Sequence, residues 1–218
     1  MMFDNIPLLL FAKAPIAGSV KTRLMTHCSA EQAAEIAKRL MEESIQRACE
    51  SWPGEVFLSV WLDLDHVFFS KMRQRYAITV TQQCEGDLGA KMRHALSSYG
   101  YPAAVMGCDA PHTLASSLRQ AYTLLQSGKS VIGPSDDGGY YFLGLCHASD
   151  DLFLNKPWGQ DQIFEKTLAS ANSAGLTLKQ LPSLNDVDEW QDLLDASETI
   201  TSLRTYLQAE GLYYAKRQ

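Results

Sequence analysis

The chain has 218 residues, of which 46% are hydrophobic and 20% charged, a composition typical of a globular protein with one sizeable α/β core. Its formal net charge of -6 argues against nucleic acid as a partner, because a phosphate backbone requires a broad cationic surface. There is no membrane-length apolar run, no secretory signal pattern and no CxxC pair among the five cysteines, so we expect a cytoplasmic protein with reduced thiols and no membrane partner.

Short apolar runs alternate with amphipathic segments along the N-terminal half of the chain. Ser29 and Gln32, three residues apart, form the capping-box pattern that opens a long helix. Strands are predicted at 8–12, 55–62, 77–81 and 103–107, and helices at about 30–50, 66–75, 88–99 and 113–127.

The C-terminal half continues the same alternation. Strands are predicted at 130–134, 140–145 and 176–181, a helix at about 160–173, and two more helices after about 187. Because alternating strands and helices form mostly parallel sheets that are covered on both faces, we expect an α/β fold. No repeat or linker interrupts the pattern, and we therefore expect one domain over residues 1–218.

The first predicted strand ends in a cationic loop. It carries Lys13, Lys21 and Arg23, and its backbone amides can line a phosphate that these cations neutralise. A P-loop is excluded by spacing, because two residues separate Gly18 from Lys21-Thr22 and no glycine occupies the earlier position. We interpret the loop as a site for a small anionic ligand, with a solvated turn as the alternative.

Carboxylates follow the strand predicted at 103–107 and recur near residue 187. Asp109 lies just beyond the strand end, where α/β sheets bind ligands, and could hold Mg²⁺ or Mn²⁺. Asp186 and Asp188 point to the same side of an extended segment and could complete that site. The alternative is that all three cap the helices that follow them.

Two further polar loops are candidates for ligand contact. Around Asp137, the paired Gly138 and Gly139 allow a ligand to approach the backbone, and the carboxylate could bind sugar hydroxyls. A hairpin turn is the alternative there, since Asp-Gly is a strong turn signal. The loop with Gly86 and Asp87 could contact a base, ribose or phosphate, and it could equally be a plain helix start.

Together these segments resemble the bacterial DUF2064 family of GT-A-like proteins, also known as the arsenosugar-biosynthesis-type or radical-SAM/selenodomain-associated glycosyltransferases. The resemblance implies a GT-A, nucleotide-diphospho-sugar transferase-like fold, which is a three-layer α/β/α sandwich with a mostly parallel mixed sheet. The matching segments occur in the family's order and span nearly the whole chain: 11–15 with Gly18 and 21–24, 86–89, 107–111, 133–134 with 137–141, Trp158, and 186–188 with 192–193.

The resemblance also implies roles for individual residues. Asp109 and Asp137 are the candidate catalytic carboxylates, and Asp109, Asp186 and Asp188 are the candidate ligands of Mg²⁺ or Mn²⁺. The implied nucleotide-binding residues are Lys13, Gly18, Lys21, Thr22, Arg23, Gly86, Asp87, Gly138 and Gly139. The chain departs from the family pattern at Lys91 and at 158–160, and it lacks the full Asp-x-Asp motif around Asp109 that many GT-A enzymes carry.

Three hypotheses follow for the function. The first is a glycosyltransferase that uses a nucleotide-diphospho-sugar donor, a divalent metal and a small-molecule acceptor. The second is a guanylyltransferase-like nucleotidyltransferase that attacks the α-phosphate of a nucleoside triphosphate and releases pyrophosphate. The third is a non-catalytic nucleotide-binding module, which the missing Asp-x-Asp motif favours. The sequence does not specify the donor base, the acceptor or the oligomeric state.

Overall fold

The computed structural model describes residues 5–154, 156–159 and 162–213. The ends of the expected single domain, 1–4 and 214–218, therefore lie outside the described residues. The strands are β1 (Leu8–Lys13), β2 (Val56–Trp61), β3 (Thr79–Gln82), β4 (Ala103–Gly107), β5 (Val131–Pro134), β6 (Tyr140–Leu145) and β7 (Lys179–Gln180). The helices are α1 (Ala30–Ser51), α2 (Val67–Tyr76), α3 (Leu88–Tyr99), α4 (Ala115–Gln126), α5 (Ile163–Ser173), α6 (Trp190–Thr199) and α7 (Thr201–Ala209).

The strands form one sheet in the order β3-β2-β1-β4-β6-β5-β7. β6 runs antiparallel to both of its neighbours, and the other neighbouring strands pair in parallel. The chain first proceeds from β1 outward to β3, and then places β4 on the other side of β1. The strand order thus reverses between β1 and β4, and their carboxyl ends border the crevice where sheets of this kind bind ligands.

Alternate residues of β1 explain why helices cover both faces of the sheet. Leu8 and Leu10 pack in the cluster that includes apolar residues of α1, α2 and α4. Leu9 points the opposite way and packs with residues of α3 and α5. A third cluster joins the outer side of α1 to α6 and α7. The expected α/β/α layering with a mostly parallel mixed sheet is confirmed.

Local sequence signals account for several element boundaries. The capping box at the start of α1 forms as predicted: the Gln32 amide donates to Ser29 Oγ at 3.2 Å, and the Ser29 amide donates to Gln32 Oε1 at 2.9 Å. The prediction of a helix from residue 113 was wrong by two residues, because the Thr113 hydroxyl closes a turn onto the Ala110 carbonyl at 2.8 Å.

The C-terminal elements match the predictions less closely. The strand expected at 176–181 is reduced to the two residues of β7, which pairs only with β5 at the edge of the sheet, as far as the described residues show. The helix expected from about 160 begins at residue 163, and positions 160 and 161 lie outside the described residues. Within the described ranges, no helix is long and apolar enough to cross a membrane.

Candidate functional site

The loop after β1 folds back tightly over the strand end. Lys13 Nζ donates to the Ser19 carbonyl at 2.7 Å and closes the loop. Gly18 adopts a φ of 78°, a backbone conformation that favours glycine. Lys21 also has a positive φ of 46° and leads into a short 3₁₀ helix at Thr22–Thr26. This turn carries the Lys21 side chain back towards the sheet edge rather than into solvent.

The Lys21 ammonium joins two carboxylates that are far apart in the sequence. Its Nζ lies 2.5 Å from Asp109 Oδ1 and 3.1 Å from Asp188 Oδ1, and only 7% of the side chain is exposed. Burial lowers the pKa of Lys21, but the charges of Asp109 and Asp188 outweigh this effect and hold it above the ordinary value. The Val187 amide also donates to the Asp109 carbonyl at 3.1 Å. Two segments predicted separately thus form one ion-pair cluster.

Arg23 extends this cluster to the surface. Its Nη1 lies 3.5 Å from Asp188 Oδ2, and 70% of the side chain is exposed. Exposed ion pairs of this length contribute little to stability. Arg23 is therefore a cation that an incoming anionic group can reach, in contrast to the buried Lys21.

Asp186 lies in a concentration of negative charge. Burial is the largest of the effects that raise the pKa of Asp186 to about 7, and the charges of Asp109, Asp137 and Asp188 contribute in the same direction. Within the described residues, no three His, Cys, Asp or Glu side chains are grouped closely enough to hold a metal ion. The space between Asp109 and Asp188 contains the Lys21 ammonium instead. Carboxylate oxygens are nevertheless the donor type that Mg²⁺ and Mn²⁺ prefer, and a cation would relieve the excess negative charge here.

Two cavities border this cluster. The first, of about 320 Å³, carries charged and polar side chains together with apolar ones; the charged and polar residues include Lys13, Lys21, Thr22, Arg23, Asp109 and Asp188. The second, of about 440 Å³, has largely apolar and aromatic walls and bears Asp137, Asp186 and Asp188. Phe11, Arg23 and Asp188 line both cavities. We call these three residues the shared rim.

The segment between β5 and β6 is a hairpin turn that also contributes to the second cavity. The Ser135 amide donates to the Gly139 carbonyl at 3.1 Å, and Gly138 has a φ of 85°. Asp137 Oδ1 accepts hydrogen bonds from Ser135 Oγ at 2.5 Å and from the Gly139 amide at 2.9 Å. The turn interpretation is thus correct for the backbone, and the same turn fixes the Asp137 carboxylate on the cavity wall.

The helix-capping alternatives for the aspartates were wrong. The residue that caps α4 is Leu114, so Asp109 does not cap it. α6 is capped by Glu189 with Asp192 in a capping box, and Asp186 and Asp188 precede this cap. None of the three candidate metal ligands is therefore the N-cap of a following helix.

Four of the predicted nucleotide-binding residues lie outside the walls of both cavities: Gly18, Gly86, Asp87 and Gly138. Asp87 instead caps α3, since its Oδ1 accepts from the Ala90 amide at 2.8 Å. For Gly86 and Asp87, the sequence left two alternatives, a nucleotide contact and a plain helix start. The geometry is that of the helix start. Gly18 and Gly138 supply positive φ angles that shape the two loops.

The family model described as "uncharacterized protein conserved in bacteria (DUF2064)" matches residues 44–160. The chain belongs to the DUF2064 family. No curated protein matches it in sequence.

Among solved structures, this DUF2064 protein is similar to a candidate nucleotide-diphospho-sugar transferase from Desulfovibrio desulfuricans G20. The TM-score is 0.82 at 26% identity, over 96% of this chain and 97% of that chain. For Rv0371c from Mycobacterium tuberculosis H37Rv, in complex with manganese, the TM-score is 0.53 at 15% identity, over 90% of this chain and 100% of that chain. For a cytidylyltransferase from Leptospira borgpetersenii serovar Hardjo-bovis, the TM-score is 0.58 at 11% identity, over 99% of each chain. These structures confirm the expected fold.

Sequence reasoning did not join the residues of the apolar wall of the second cavity in this DUF2064 protein. The wall includes Leu88 and Met92 from α3, Tyr140 from β6, Trp158, and Ile163 from α5. Leu88, Tyr140 and Trp158 lie in segments that resemble the family, whereas Met92 and Ile163 carried no signal of their own. One signal was available at Gly89: a Cβ there would lie 2.4 Å from Trp158 Nε1, so the glycine permits close packing of the indole.

Proposed function

We propose that this DUF2064 protein is a transferase acting on a nucleotide-linked substrate. The first candidate is a glycosyltransferase with a nucleotide-diphospho-sugar donor. The observation that carries the proposal is the shared rim: a cationic cavity and a carboxylate-bearing cavity meet where β1 and β4 end. The similarity to the candidate nucleotide-diphospho-sugar transferase of D. desulfuricans, at 26% identity over nearly both chains, supports this choice.

The first cavity suits the phosphates of the donor. Lys13 lies on its wall, and the guanidinium of Arg23 is largely exposed at the rim. Both can donate to phosphate oxygens, and Arg23 can do so with two parallel hydrogen bonds. Lys21, held by Asp109 and Asp188, supplies positive charge beneath the phosphates and offsets the charge that develops on the departing diphosphate.

Asp109, Asp186 and Asp188 are the residues that would hold Mg²⁺ or Mn²⁺. The ion's contribution when bound is to neutralise part of the diphosphate charge. The manganese complex of Rv0371c, which shares the fold, supports the use of a divalent metal. Lys21 must share or give up its two carboxylates when the metal binds, since its ammonium lies between them.

The second cavity suits the acceptor. In the transfer, the acceptor oxygen forms a bond to the anomeric carbon, the bond from that carbon to the diphosphate oxygen breaks, and the hydroxyl proton passes to a carboxylate. Asp137 is our candidate for orienting that hydroxyl. Its Oδ1 is occupied by Ser135 and Gly139, so Oδ2 is the oxygen that we assign to the acceptor.

Nucleotidyl transfer is the second candidate. It is favoured by the cations Lys13, Lys21 and Arg23 on one loop, which suit a triphosphate as well as a nucleotide sugar. Incubation with nucleotide sugars and with nucleoside triphosphates, each with Mn²⁺ and a panel of alcohol and phosphorylated acceptors, separates the two. Release of a nucleoside diphosphate supports glycosyl transfer, and release of pyrophosphate supports nucleotidyl transfer.

Nucleotide binding without any turnover would instead support the third candidate, the non-catalytic module. In that case binding should survive Asp109→Ala, because binding alone does not need the carboxylate that contacts Lys21. Metal-dependent turnover that disappears in Asp109→Ala would rule the module out.

A further inference from the structure

The walls of the second cavity differ from any surface built for phosphate. They include the aliphatic side chains of Leu88, Met92 and Ile163 and the rings of Tyr140 and Trp158. The volume of about 440 Å³ lies in the usual range of small-molecule pockets. An apolar group of a ligand would remove this surface from water, which favours its binding.

The two rings form a fixed part of this wall. Tyr140 and Trp158 pack edge to face with their centroids 6.5 Å apart. The indole also packs directly on Gly89, where no side chain separates it from α3. Aromatic walls held in this way bind flat or apolar groups with little loss of side-chain freedom.

The charge at the mouth of the cavity selects against an anion. Asp137, Asp186 and Asp188 lie on its wall, and Arg23, the cation among its lining residues, is already 3.5 Å from Asp188. Asp137, which is not among the proposed metal ligands, repels a phosphate, whereas it accepts a hydrogen bond from a hydroxyl group. The ligand that fits is therefore uncharged, with a hydroxyl at the rim and an apolar body below it.

We propose that the second cavity binds the aromatic or apolar body of an alcohol, and that this alcohol is the acceptor of the transfer. This inference rests on the proposed function, since it names the class of acceptor for the same site. It also assigns the specificity for that acceptor to residues of α3, β6 and the segment around Trp158, and not to the cationic loop.

The test is ¹⁹F NMR of 4-fluorobenzyl alcohol added to the full chain without nucleotide. We expect its signal to broaden on binding, while 2-fluoroethanol, which has the hydroxyl but no ring, stays sharp at the same concentration. Addition of GTP, CTP, UTP or ATP with Mn²⁺ leaves the aromatic alcohol bound. No broadening, or equal broadening of both alcohols, would overturn the proposal. Displacement by a nucleotide would also overturn it, because the cavity would then hold the nucleoside.

A matched pair of variants assigns the binding to the cavity. Leu88, on the wall, is 47% exposed at the start of α3, and Leu114, outside both cavities, is 53% exposed at the cap of α4. We expect Leu88→Asp to weaken binding about tenfold or more, because it places a charge against the apolar body. Leu114→Asp should leave binding unchanged. Equal affinities in the two variants would contradict the assignment.

The outcome also separates this inference from the proposed function. Transferase turnover with an alcohol acceptor that does not broaden in the NMR test would overturn the cavity assignment alone. Binding of the aromatic alcohol that is lost in Leu88→Asp, in a protein that shows no transferase turnover, would support the ligand class of the cavity and contradict the proposed function.

Discussion

The two cavities that meet at the shared rim are built in opposite ways. The first takes its cations from one continuous stretch, Lys13 to Arg23, and its two carboxylates, Asp109 and Asp188, from distant parts of the chain. Apart from Phe11 and Arg23 of the shared rim, the second draws its wall from helices, strands and loops scattered between residues 88 and 188. A charged site can be assembled on one loop because a few ions dominate its energetics, whereas an apolar pocket needs many walls at once.

Asp188 and Arg23 show what this difference means for chemistry. Both residues line the two cavities, so a group transferred between them passes an ion pair that is 3.5 Å long and largely exposed. Lys21 lies on the polar side and Asp137 on the apolar side. We therefore expect changes on the two sides to affect different substrates, and the following predictions test this separation.

The largest effect should come from Asp109→Asn. The substitution removes the charge that Lys21 contacts at 2.5 Å and removes a predicted metal ligand, so turnover should fall about a hundredfold to a thousandfold. Steady-state release of the nucleotide product measures this. Asp65→Asn, at an exposed aspartate outside both cavities, is the control and should retain full turnover. Equal rates for the two variants would contradict the role of Asp109.

Lys21→Met should strengthen the binding of Mn²⁺ in the absence of nucleotide by about tenfold, because the ammonium between Asp109 and Asp188 no longer competes with the metal. Electron paramagnetic resonance of free Mn²⁺ measures the affinity. Lys13→Met is the matched control, since Lys13 donates to the Ser19 carbonyl, and it should leave the affinity unchanged. A weaker or unchanged affinity in Lys21→Met would show that the metal does not use these two carboxylates.

Gly89→Ala tests the packing of the apolar side. The added Cβ would lie 2.4 Å from Trp158 Nε1, and we expect a loss of about 1–2 kcal/mol in the free energy of unfolding after the helix-propensity gain is subtracted. Urea denaturation measures it. At Gly107, no described atom lies within 4 Å of an added Cβ, so Gly107→Ala should be nearly neutral. Similar losses at both glycines would mean that contact with the indole is not the cause.

The smallest change in stability should come from Arg23→Gln. Because the Arg23 side chain is 70% exposed and its ion pair is 3.5 Å long, the free energy of unfolding should change by less than about 0.5 kcal/mol. Nucleotide affinity should fall, because Arg23 is the exposed cation that we assign to the phosphate oxygens. Titration with nucleotide measures this, and an unchanged nucleotide affinity would contradict that assignment.

The order of strands and helices and the mostly parallel character of the sheet were predictable, because the period of hydrophobic residues and the helix caps are local signals. The Ser29–Gln32 capping box and the strand at residues 8–12 illustrate this, since each requires only neighbouring residues. Short edge elements were less predictable. The strand expected at 176–181 is only two residues long, because a strand at the sheet edge depends on the partner that happens to lie beside it.

The candidate site was predictable in part for the same reason. The cations of the first loop and the aspartate after β4 follow from their positions at strand ends. The pairing of Lys21 with Asp109 and Asp188 was not predictable, because it depends on a positive φ at Lys21 and on the turn that brings residue 188 beside the sheet. Gly86 and Asp87 had a good helix-start signal, and the structure places them in that role.

By itself, the sequence determined the α/β alternation, the charged residues near the strand ends and the membership of the DUF2064 family. These depend on short-range patterns that survive any tertiary arrangement. Only the tertiary structure decided which charges pair, where the two cavities meet, and that Leu88, Tyr140 and Trp158 line a single pocket. The physical reason is that ion pairs and apolar walls form between residues far apart in the chain, and their energy depends on distances that no local pattern specifies.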